Sequence, residues 1–125
     1  MLNKHSEITR ISQLIVNLTE NIQILRISIQ DAQNQNEETL KTLFEGVDET
    51  LIKLKFQEEI EYLEGLLKNR MRELSDAQNS FIDLAKESNL DPIIKHEFLL
   101  VSGAYVQIWY DTFGNVYYQG PYSKN

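Results

Sequence analysis

The sequence predicts a mainly α-helical fold: a long antiparallel helical hairpin or coiled-coil bundle, then a short third helix and a C-terminal β-hairpin. Three observations carry this expectation. An unbroken heptad of isoleucine and leucine runs through the first third of the chain, no proline occurs between Asn36 and Asn89, and eight of the 12 aromatic residues crowd into Phe98–Asn125.

The heptad comes first. Ile8, Ile11, Ile15, Leu18, Ile22, Leu25, Ile29 and Ala32 are spaced alternately by three and four residues without a miss. That spacing returns every residue to one stripe of a helix and is the a/d pattern of a coiled coil. Isoleucine at every a position, with leucine at two of the d positions, favours two strands in a parallel pair, although the repeat leaves parallel and antiparallel order open. Leu14, Val16, Ile24 and Ile27 lie off the stripe. The apolar face is therefore wider than a zipper needs, which points to a bundle of three or four helices.

Asp31–Asn36 has only Ala32 as an apolar residue and reads as a turn. Asn34 followed by Glu37 has the form of a capping box that would open the second helix, with Asn36 as a rival cap. The second stripe begins at Leu40, Phe44, Val47 and Leu51, weakened by Gly46, which costs ~1 kcal/mol relative to alanine. It resumes at Phe56, Ile60, Leu63, Leu67, Leu74, Ala77, Phe81 and Leu84, with Arg70 at the one polar d position. The two registers differ by one residue near Leu51–Phe56, so the helix either adjusts locally or kinks near Gly46 or Lys53–Lys55. The absence of proline favours one continuous helix. It would span ~80 Å against ~45 Å for the first helix, at 1.5 Å per residue. Leu74, Ala77, Phe81 and Leu84 would then need a cover: a second copy, another protein or the C-terminal segment. Ile8, Ile11, Ile15, Leu18, Ile22, Leu25, Ile29, Leu67, Leu74 and Phe81 form the expected oligomer seam, with a homodimer the expected assembly.

Asp91 as N-cap and Pro92 at the first helical position predict a third helix, closed near Ser102 by Gly103. A strand through Phe98–Val101 is the competing reading. Tyr105–Tyr110 is rich in β-branched and aromatic residues, Asp111–Asn115 has turn chemistry, and Val116–Gln119 reads as the return strand. Residues 1–89 thus form a helical part and residues 90–125 a small C-terminal part of one structural domain. A lone hairpin is marginal in water, so it must pack on the helices or extend another sheet. Tyr105, Gln107 and Trp109 share one strand face. Tyr105, Trp109 and, on the return strand, Tyr118 are candidate docking residues, because tyrosine and tryptophan are enriched at interface hot spots.

Net charge is −7, and Glu37–Glu64 holds nine acids against three bases. Such a surface repels a phosphate backbone and attracts a basic protein, so no nucleic-acid partner is expected and Glu58, Glu59 and Glu61 are candidate contacts for a protein with a basic surface. A solvated helix face accounts for the same residues. No cysteine is present, which removes disulfides, thiolate metal sites and thiol nucleophiles. The most apolar stretch, Pro92–Tyr110, is broken by Lys95, His96 and Glu97 and is short of the ~20 apolar residues a membrane helix needs. With no recognisable signal segment in Met1–Glu20, a cytoplasmic protein without a membrane partner is expected. Of the two histidines, His5 lies near the first residues and His96 beside Glu97, without the i,i+3 or i,i+4 spacing a metal site on one helix wants. Nor does any Glu-x-x-His, phosphate loop or nucleophile elbow occur. No enzyme, metal or cofactor is expected. The expected function is a non-enzymatic protein–protein interaction or assembly module. The alternative is a small acidic inhibitor or immunity-type protein that blocks a basic site.

Overall fold

The computed structural model describes residues 4–43 and 48–124. Two helices, α1 (Lys4–Lys41) and α2 (Glu49–Glu87), precede three strands, β1 (His96–Leu99), β2 (Tyr105–Tyr110) and β3 (Val116–Tyr122). The strands form one antiparallel sheet in the order β1-β2-β3. The chain divides into two compact units: Met1–Thr19 with Glu73–Asn125, and Glu20–Arg72.

Helix α1 runs through Asp31–Asn36, so the turn and capping box expected there are absent. Aspartate, asparagine and glutamine each cost only a few tenths of a kcal/mol more than the better helix formers, roughly, and neither glycine nor proline interrupts the run. Ala32 is buried, and the amide of Gln30 donates to Asn34 Oδ1 one turn on (3.2 Å). The helix ends instead at Lys41. Asp48 then caps α2, its Oδ1 accepting from the backbone N–H of Thr50 (3.1 Å) and Leu51 (3.4 Å). The expected continuous helix from Asn36 is therefore two helices, with Lys53–Lys55 well inside the second. Phe44, Gly46 and Val47 lie outside the described residues. At 38 and 39 residues the helices match in length, so no long second helix overhangs a short first one.

In the first unit, Ile8, Ile11, Ile15, Val16 and Leu18 of α1 and Ala77, Phe81, Ile82 and Ala85 of α2 form one core with Phe98, Leu100, Val106, Ile108 and Tyr110. The C-terminal segment thus meets Phe81 directly, through Phe98 and Tyr110. Of the residues that widen the apolar face of α1, Val16 is buried in this core beside Ser12, whereas Leu14, Ile24 and Ile27 are exposed. Ser12 satisfies its hydroxyl by donating to the carbonyl of Ile8 (2.8 Å). Phe81 is fully enclosed and presents its ring edge-on to Phe98 (6.4 Å) and Tyr110 (6.5 Å).

The expected third helix does not form. Helix α2 closes on Asn89, at φ 60, with Leu90 N–H donating to Ala85 O (2.8 Å) and Asn89 N–H to Lys86 O (3.2 Å). This is a Schellman ending, with Leu90 packed on the core. Pro92 then serves a turn rather than a helix start. Ile93 sits at φ 74, and its N–H donates to Tyr110 O (2.7 Å), while Tyr110 OH donates to Leu90 O (2.6 Å). These bonds tie the connection to the sheet and deliver His96–Leu99 as a strand paired with β2. The competing strand reading, Phe98–Val101, comes close, the strand lying two residues earlier, and the expected two-stranded hairpin is a three-stranded sheet. Gly103, at φ 90, serves the β1–β2 turn and not a helix end.

In the second unit, Ile22, Ile29 and Ala32 of α1 are buried, whereas among the described residues no α2 side chain there is fully buried. Arg26 of α1 reaches the sulfur of Met71 (4.0 Å).

Candidate functional site

Strand alternation gives the sheet two unlike faces. Val106, Ile108 and Tyr110 point into the core, and Tyr105, Gln107 and Trp109 point away from it. Cross-strand register aligns the outer residues in rungs: Leu99, Tyr105 and Tyr122; Glu97, Gln107 and Gln119; Trp109 and Tyr117. Trp109 stacks on Tyr117 (ring centroids 5.9 Å apart) and Tyr105 on Tyr122 (6.4 Å). Two lysines lie on these pairs, Lys95 over Trp109 (4.7 Å) and Lys124 over Tyr105 (4.4 Å).

Carboxylates fix the far ends of the tyrosines. Tyr122 OH donates to Glu97 Oε2 (2.5 Å), and Lys124 pairs with the other oxygen of the same carboxylate. Lys124, then Tyr122, hold the Glu97 carboxyl below its ordinary range, and Glu97 in turn raises both partners. Asp111 accepts from the N–H of Phe113 and of Asn115 (both 2.9 Å), and its second oxygen accepts from Tyr117 OH (3.0 Å). The backbone N–H of Asn115 is the largest cause of the lowered Asp111 carboxyl, and the bond to Asp111 raises the Tyr117 phenol. The outer face is thus a set of braced aromatic rings around an amide-rich rung.

Tyr105 and Trp109 stand together on this face, as expected. Tyr118 does not: it pairs with Ile108 on the inner face and packs against the core. Tyr117 takes the outer position, because the register sets Trp109 opposite Tyr117. Tyr122, Lys95 and Lys124 were not among the sequence candidates; Tyr122 returns to this face through an irregularity opposite Tyr105–Gln107 that alternation alone does not reveal.

The expected seam residues separate. Ile8, Ile11, Ile15, Leu18 and Phe81 lie inside the core of the first unit, where Leu74 packs half-buried against them. In the second unit Ile22 and Ile29 are buried, and Leu25 and Leu67 half-buried. Off the seam, Ile24, Ile27, Leu51, Leu54 and Tyr62 of that unit are exposed, Ile24 at 62% and Tyr62 at 66%.

A groove of about 670 Å³ lies within the second unit, with Phe56 and Ile60 half-buried along it. Amide side chains and the carboxylates of Glu37, Glu61 and Glu64 line it. Glu61 accepts from Gln57 Nε2 (3.0 Å). Of the three acids singled out in the sequence, Glu61 lines this groove, and Glu58 and Glu59 are exposed beside it.

His5 and His96, 91 positions apart, line one cavity of about 320 Å³ with Ser88 in the first unit. Ser88 Oγ and His96 Nε2 are sealed from solvent and make no hydrogen bond. Among the described residues no group of three or more histidine, aspartate or glutamate side chains is arranged to hold a metal ion. No described helix is long and apolar enough to cross a membrane. Compared with known proteins, the chain matches no family model, no curated protein and no solved structure.

Proposed function

We propose that this chain is a non-enzymatic protein–protein interaction and assembly module whose helices pack as an antiparallel hairpin along the Ile/Leu seam. One observation carries the reading. In Glu20–Arg72 two helical segments stand without the sheet that completes the other unit, and Ile24, Ile27, Leu51, Leu54 and Tyr62 are left in solvent. Two helices alone enclose little core, and a second pair supplies the missing layer, as in four-helix assemblies. Contiguous exposed apolar surface marks interaction sites, and Ile24 and Ile27, three residues apart, share one face of α1.

Solution mass by light scattering over a dilution series tests this. Self-association that Ile24→Glu with Ile27→Glu abolishes, without loss of helical signal, is the expected result. A single-chain mass at every concentration refutes assembly. A second reading, an acidic blocker of a basic site on another protein, is favoured by the carboxylates of the groove. Salt separates the two, since charge-driven capture weakens steeply with ionic strength and apolar association does not.

A further inference from the structure

We infer that the groove of the second unit is a docking site for a basic amphipathic helix of another protein. This inference rests on the protein-binding reading above and not on self-association. A helix laid in a groove needs an apolar floor for its i, i+3, i+4 and i+7 anchors and flanking groups complementary to its polar edges. Phe56 and Ile60 supply the floor; both are half-buried, so part of each ring or side chain is open to a partner. Both helices bring acid to the lining, Glu37 from α1 and Glu61 and Glu64 from α2, among the neutral amides of Gln30, Gln33, Asn34, Asn36 and Gln57. Among the described residues, no lysine or arginine lines the groove.

The contributing stretches, 30–37 of α1 and 56–64 of α2, each rise ~12 Å, about two turns of a docked helix. Acid from both helices around an apolar floor matches a helix with one leucine- or isoleucine-rich stripe bordered by lysine or arginine on both sides. A second copy of this chain is the wrong occupant of the groove itself, since its Glu37–Glu64 stretch, with nine acids against three bases, would bring like charge there. Self-association is proposed through the exposed Ile24 and Ile27 instead.

The test uses the full chain and a fluorescent synthetic peptide made of two repeats of Leu-Lys-Lys-Leu-Leu-Lys-Leu. A control peptide has the same composition, shuffled so that its leucines no longer share a helix face. Binding is read by anisotropy and located by amide NMR shifts. Saturable binding is expected, with shifts gathered on residues 30–37 and 56–64. Glu37→Gln, Glu61→Gln and Glu64→Gln together should weaken it ~10-fold or more, whereas Glu38→Gln, Glu58→Gln and Glu59→Gln together, the same charge change on exposed acids outside the groove, should weaken it less than ~3-fold. All six positions are on the helix surface, and an unchanged helical signal verifies the fold. Equal weakening by the two sets, equal affinity for the shuffled peptide, shifts centred elsewhere or no saturable binding each overturn the inference. Light scattering on the same samples keeps the outcomes apart: self-association that persists without groove binding overturns the groove alone.

Discussion

Phe81→Ala is the perturbation that most directly tests the packing of the first unit. The ring is fully enclosed, meets Phe98 and Tyr110 of the sheet edge-to-face, and belongs to the same core cluster as Ile8, Ile11 and Ile15 of α1. Truncating an enclosed phenylalanine costs about 3–5 kcal/mol, the lost transfer of the ring plus the cavity it leaves. Each edge-to-face contact accounts for ~0.5–1.5 kcal/mol of specific ring–ring energy. The matching substitution in the second unit, Leu67→Ala, removes a half-buried side chain and should cost about half of a full leucine truncation, ~1–2.5 kcal/mol. Urea unfolding followed by Trp109 fluorescence reports on the sheet, and far-ultraviolet circular dichroism on both helices. Phe81→Ala should move the fluorescence transition well below the dichroism transition, and Leu67→Ala should not. A loss under ~1 kcal/mol for Phe81→Ala would refute the enclosure of this ring, because no well-packed phenylalanine is removed so cheaply.

Three further outcomes follow from single positions. Gly120 has φ 112, and a Cβ there would lie 3.0 Å from Tyr105 O and 2.9 Å from the ring of Tyr122. Gly120→Ala should therefore destabilise the chain by roughly 2–3 kcal/mol in urea, through left-handed strain plus overpacking; a neutral result would contradict this close approach. Ile93 holds φ 74 while 69% exposed, so Ile93→Asn should raise the urea midpoint by the equivalent of ~1 kcal/mol, and a lowered midpoint would show that the ring of contacts around this turn needs isoleucine. Lys124→Met should raise the midpoint of the Glu97 carboxyl, followed by NMR of its side-chain carbon. With the carboxyl depressed in the folded chain, its contribution to stability is present above the unfolded carboxylate pKa and is lost as pH falls through the lowered one. An unmoved midpoint would mean that Lys124 is not its main partner.

The sequence carries the first unit's part of α1 openly, because Ile8, Ile11, Ile15 and Leu18 repeat at helical spacing and the structure buries all four. It also carries the two-faced strand: Tyr105, Gln107 and Trp109 alternate with Val106, Ile108 and Tyr110. Other features are hidden for physical reasons. Asp31–Asn36 resembles a turn in composition, yet helix propensity there is only weakly unfavourable and the apolar stripe resumes at Leu40, which is enough to carry α1 through. Asp91-Pro92 fits a helix start and a tight turn equally well; the bond from Ile93 N–H to Tyr110 O, made across the fold, favours the turn. Tyr117 and Tyr118 are neighbours of the same type, and only the pairing with β2 decides which one faces out. Glu61 and Glu64 are visibly one helix face apart in sequence, but Glu37 joins them only once two helices lie side by side.

The core of the first unit joins Ile8 to Phe98, Val106 and Ile108, partners about 90 to 100 residues further along the chain. On a ribosome, which delivers roughly 5–20 residues each second, the apolar face of the first helical turns is synthesised long before anything exists to cover it. Closing so large a loop is entropically dearer than closing the short link at residues 42–48, although the penalty grows only with the logarithm of length. The nascent chain therefore has a natural order of events: the helical segments next to that link meet first, and the isoleucines near the start wait for the last strands. During that interval Ile8, Ile11 and Ile15 are a sticky surface, and a chaperone that shields aliphatic helix faces has its window there.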